Sequence, residues 1–152
     1  MAAEGTSYAQ MGEGGSYVGK PVFLWAAVYG LGLAALIASS YFNPFFIFLF
    51  VKGDAYTLGN FGMVWEMWHG VGCAFVGLMN LSVFMDPFGF GVAGRRAVSL
   101  NTAFIYTVWG VQNTYYCIFR ADLFTLLMWL HAILCLLTGA LSMLAWTKGK
   151  AA

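Results

Sequence analysis

Residues 123–146 read LFTLLMWLHAILCLLTGALSMLAW, without a single Asp, Glu, Lys or Arg. A helix needs about 20 consecutive apolar residues to cross about 30 Å of hydrocarbon. This stretch exceeds that length and stops at Lys148 and Lys150. Working back along the chain, three further stretches have the same character. One covers residues 22–40, behind Pro21, whose missing N–H suits the first turn of a helix. One covers 61–85 and stops at the Asp86-Pro87 breaker. One covers 98–119, entered after Arg95 and Arg96. The expectation is an all-α integral membrane bundle of four transmembrane spans joined by short loops. Residues 21–148 would form that single domain, and residues 1–20 a mobile polar tail.

Composition agrees. Of 152 residues, 61% are hydrophobic and only 9% charged, against about 25% charged in soluble globular chains. A water-soluble monomer is therefore excluded, as are collagenous, disordered and disulfide-framework proteins. A net charge of +1 leaves no electrostatic footprint for nucleic acid. The tail carries Glu4 and Glu13 and has neither a basic start nor an apolar run behind it, so no cleaved signal peptide is expected. Cys73, Cys117 and Cys135 all fall in apolar stretches and form no CxxC; a disulfide framework is not expected.

Between the first two spans, Asn43-Pro44 should end a helix. The aromatic run that follows, within residues 43–51, is too short to cross a bilayer. An interfacial aromatic segment is the preferred reading; a lengthened, kinked end of the first helix is the alternative. Lys20, Arg95, Arg96, Lys148 and Lys150 flank one side of the four spans, and Lys52 and Arg120 the other. By the positive-inside rule both termini should lie on the cytoplasmic side, or on the stromal or matrix side in an organelle. Which membrane is involved is not legible.

The second and fourth spans share a pattern. His69, Cys73 and Gly77 repeat as His131, Cys135 and Gly139, and a Met-Trp pair shortly precedes each histidine. Residues four apart lie along one helix face, and small residues there permit close helix approach in membranes. The flanking spans do not align at the same offset.

Depth singles out a polar layer. At about 1.5 Å per residue, His69 and His131 each sit roughly 12 Å below the outer ends of their spans, and Gln112 and Asn113 roughly 9–10 Å below the same surface. Glu66 is one turn from His69. Ionisable groups inside a membrane are costly and face a bundle interior or a cavity. Glu66, His69, Gln112, Asn113 and His131 are therefore the candidate cofactor-binding residues, with His69 expected to be the most sensitive because Glu66, Gly70 and Gly72 surround it. A hydrogen-bonded core that fixes helix register explains the same residues.

Two imidazoles at matched depth suit haem b; one suffices for chlorophyll. Two HxxxC pairs would offer nitrogen and sulfur to zinc or copper. No nucleophile with its base, and no phosphate loop, is legible. The leading expectation is a non-catalytic subunit of a larger photosynthetic or respiratory membrane complex, ligating pigment or haem. Its partners would be membrane lipids and other membrane subunits or further copies of itself. The alternatives are a small membrane redox protein or enzyme with haem or quinone in the polar layer, and a proton-linked carrier.

Overall fold

A computed structural model describes residues 20–40, 42–43, 49–52, 59–87 and 89–148, the side chains of 59–66 excepted. The expected mobile tail lies outside these residues apart from Lys20, as does most of the expected interfacial segment. Four helices account for nearly all of the described chain: α1 Lys20–Ser40, α2 Gly59–Met85, α3 Val92–Phe119 and α4 Leu126–Lys148. Three stretches are long and apolar enough to cross a membrane: α1, Met67–Met85 within α2, and α4. The expected fourth span, α3, has 28 residues but is not among them. Arg95, Arg96, Ser99, Asn101, Thr102, Gln112 and Asn113 lower its hydropathy.

Two boundaries differ from expectation. Helix α3 begins at Val92, with Gly91 extended before it, so Arg95 and Arg96 lie within its first turns rather than ahead of it. Helix α4 begins at Leu126 because the preceding residues are used in a turn. Leu123 N–H donates to Arg120 O at 2.9 Å. Lys52 N–H donates to Leu123 O and Thr125 N–H to Phe50 O, each at 2.9 Å. Val51 and Phe124 thereby form an antiparallel bridge that ties the α1–α2 connection to the α3–α4 turn.

The bundle consists of two hairpins, α1/α2 and α3/α4, each packed closely within itself and meeting the other more sparsely along α1/α4 and α2/α3. Glycine sets the close approach. A Cβ on Gly30 would stand 2.9 Å from Cys73 O and 3.0 Å from Gly77 Cα, and one on Gly77 would stand 2.8 Å from Leu31 N. In the other hairpin a Cβ on Gly139 would meet Thr107 Oγ1 at 2.6 Å, and one on Gly110 would meet Leu136 Cγ at 2.7 Å. Backbones this close exclude any side chain, which is how membrane helices gain packing without a hydrophobic driving force.

The repeat read from α2 and α4 extends further in space. Cys73, Val76, Gly77, Asn80 and Val83 are buried on α2, and their counterparts Cys135, Thr138, Gly139, Ser142 and Ala145 are buried on α4. Helices α1 and α3 also correspond: Phe23, Ala26, Gly30 and Ile37 are buried, as are Ala103, Tyr106, Gly110 and Cys117. The sequence hid this second match because the α1–α2 connection is much longer than the α3–α4 turn. The two hairpins thus bury matching registers. At the centre, Ala26, Val76, Tyr106 and Cys135 form one buried cluster with a member from each helix.

Candidate functional site: a polar and aromatic layer between the hairpins

His131 is buried on α4. The Tyr29 hydroxyl of α1 lies 2.7 Å from His131 Nδ1 and 3.3 Å from its main-chain oxygen, with Cys135 Sγ at 3.6 Å. When the hydroxyl donates to Nδ1, the ring proton of neutral His131 is on Nε2. Phe50, from the α1–α2 connection, meets the same imidazole edge-on at 5.9 Å between ring centres. Phe50 is thus packed against the end of the bundle, although it belongs to a segment expected to lie in the interface.

His69 is half-buried on α2 and packs between rings. Its centre is 4.8 Å from Trp109 of α3 and 6.3 Å from His131. The matched depth of the two histidines is therefore realised as direct ring proximity, with the planes at 82°. The contacts follow the relation between the hairpins. Tyr29 precedes Gly30 on α1 and engages the histidine of α4; Trp109 precedes Gly110 on α3 and engages the histidine of α2. Further rings connect the two pairs. Trp25 stacks on Tyr29 at 5.7 Å, Tyr29 on Tyr106 at 5.6 Å, and Tyr106 meets Trp109 edge-on at 5.5 Å.

Hydrogen bonds across the hairpins accompany this layer. Trp25 Nε1 donates to Thr138 Oγ1 at 2.8 Å, and Thr138 in turn donates to Leu134 O at 2.7 Å. Asn80 Nδ2 donates to Thr102 Oγ1 at 2.9 Å and to Val76 O at 2.8 Å. Asn113 is buried with its side chain toward the Cys135 thiol of α4, and the hydroxyl of Tyr106 has no hydrogen-bond partner among the described residues. Both groups are on α3.

The remaining sequence candidates are placed differently. Gln112 is half-buried and its Nε2 lies 3.4 Å from the Tyr116 hydroxyl, one turn away on the same helix. Glu66 belongs to α2, and its side chain is outside the described residues. Cys73 and Cys135 are buried free thiols, and among the described residues no group of three or more His, Cys, Asp and Glu is placed to share a metal ion. Sequence reasoning passed over Tyr29, Trp25, Tyr106 and Thr138. The only available signal was Tyr29-Gly30 matching Trp109-Gly110, which emerges only once the hairpins are aligned separately. Arg120 and Asp122 pair at 3.6 Å on the exposed α3–α4 turn.

Comparison with known protein families, with curated proteins and with solved structures finds no match to this chain.

Proposed function

We propose that the protein is a non-catalytic, four-span subunit of a larger membrane complex, with both termini on the cytoplasmic-type side. The observation that carries this reading is the use made of the polar layer. Tyr29–His131, Trp25–Thr138 and Asn80–Thr102 all join one hairpin to the other. In an apolar medium such bonds fix register and partner choice among helices that dispersion alone would leave free to slide. Outside this layer the helices present large apolar side chains, including Trp68, Phe75, Phe104 and Phe119, to lipid or to other subunits. Close packing of α3 on α4 along their length supports α3 as the fourth span despite its lower hydropathy.

Two measurements test the reading. Thiol labelling from either side of sealed vesicles should place Lys148→Cys and Lys52→Cys on opposite faces. Native electrophoresis of solubilised source membranes should show the chain in a band far above its own 16.6 kDa. Labelling of both from one face, or migration as a free monomer, would refute it.

A second reading has its own support. The Tyr106 hydroxyl is a buried donor without a hydrogen-bond partner among the described residues, and leaving such a group unsatisfied costs about 1–3 kcal/mol. A donor of this kind suits a carbonyl oxygen of a quinone. Haem or chlorophyll on His69 or His131 is the related possibility, and an absorption spectrum with solvent extraction separates the cases. A quinone or Soret signal lost in Tyr106→Phe or His131→Phe favours a bound cofactor. A colourless, extract-free protein leaves the subunit reading alone.

A further inference from the structure

At the opposite end of the bundle from Phe50, a cavity of about 60 Å³ opens between α1, the end of α2 and the start of α3. Its lining is Lys20, Phe23, Val83, Phe84, Asp86 and Arg95. The volume is several times the roughly 10–15 Å³ that admits one water, which is room for a phosphate-sized group. The lining divides by chemistry. Lys20 and Arg95 supply two cations, and Lys20 Nζ stands 5.5 Å from the Phe84 ring centre. Phe23 and Val83 belong to a buried cluster with Val98, against which Phe84 also packs. Two cations beside buried hydrocarbon match the junction between a lipid headgroup and its acyl chains.

Asp86 is the apparent objection, since a carboxylate repels an anion. Its Oδ1 accepts the main-chain N–H of Phe90 and closes the turn in which Asp86 itself has φ +51° and Gly89 φ +66°, which holds one carboxylate oxygen to the backbone without removing its charge. With two cations against this one carboxylate, the described lining is net positive, on the face where the positive-inside rule places the cytoplasmic-type leaflet. Basic pockets between membrane helices on that face hold anionic headgroups.

We propose that this cavity is a binding site for a phosphate group, supplied by an anionic phospholipid. The proposal rests on the membrane placement of the helices and is independent of the subunit reading. Native mass spectrometry of the full chain in neutral detergent, titrated with phosphatidylglycerol, phosphatidylcholine and inorganic phosphate, tests it. Phosphatidylglycerol should bind more tightly than phosphatidylcholine, and inorganic phosphate should compete with it. Lys20→Gln and Arg95→Gln should each weaken phosphatidylglycerol by about fivefold, the effect of about one unit charge near such a surface. Arg96→Gln and Lys148→Gln remove the same charge from the same face outside the cavity and should leave binding unchanged. Asp86→Asn keeps the oxygen that accepts from Phe90 and should tighten binding. Equal weakening by all four charge removals would reduce the effect to a general surface field and overturn the site. Phosphate binding without preference between the two lipids would overturn the lipid assignment.

Discussion

Helices α2 and α4 bury the same register, and α1 and α3 approach them through the same kind of glycine contact, yet the two halves join differently. Where α1 meets α4, Trp25 donates to Thr138 and Tyr29 meets His131. At the matching positions where α3 meets α2, Val76 belongs to the central cluster and Ile105 packs against it, both apolar, and Trp109 covers His69 by ring contact. The comparison separates two tasks. Glycines fix each hairpin internally, and hydrogen bonds fix the hairpins to each other: Trp25–Thr138 and Tyr29–His131 along α1/α4, and Asn80–Thr102 further along α2/α3. A frame that tolerates no added carbon can thus carry a layer whose chemistry differs between its halves.

The frame should be the easier part to break. Gly77→Leu drives a side chain into Leu31 N, and overpacking of this kind costs about 1–3 kcal/mol. The upper end of that range is expected, because backbone cannot move aside as a side chain does. Gly32→Leu is the matched control: a Cβ there meets nothing within 4 Å. Unfolding of the purified variants in detergent should show a large loss for the first and almost none for the second.

Next in size is the contrast between the histidines. His131→Phe removes the Nδ1 partner of the half-buried Tyr29 hydroxyl and leaves it only the main-chain oxygen of residue 131 at 3.3 Å and the Cys135 sulfur, which should cost about 1 kcal/mol. His69→Phe keeps a ring against Trp109 and should cost less. A larger loss from His69→Phe would invert the comparison and direct attention to Glu66.

The smallest effect is expected at Thr138. Thr138→Val removes the acceptor for Trp25 and makes the position resemble Val76; hydrogen bonds between membrane helices average about 0.6 kcal/mol. Val76→Thr should be nearly neutral, since its hydroxyl can donate to its own helix one turn back, as Thr138 does. Equal costs for the two changes would remove the asymmetry between the hairpins.

Periodicity and length made the helices legible in the sequence, and HxxxCxxxG made the buried face of α2 and α4 legible. The depth argument correctly brought His69 and His131 together, because rise per residue is a fixed property of the helix. The polar company of His131 was not legible: Tyr29 lies on another helix, and no spacing within α4 points to it. The same limit hid the match between α1 and α3, since connection length changes the offset without changing the packing. The early start of α3 was obscured because Arg95 and Arg96 resemble the residues that flank a span.

The claim that Tyr29 and His131 join the hairpins is tested most directly by a double-mutant cycle on unfolding stability. Tyr29→Phe, His131→Phe and the double variant should show coupling of about 0.6 kcal/mol or more, the average for bonds between membrane helices, whose largest values reach about 1.7 kcal/mol. The parallel cycle of Tyr29→Phe with His69→Phe should be additive. Strict additivity of Tyr29→Phe with His131→Phe would contradict the account.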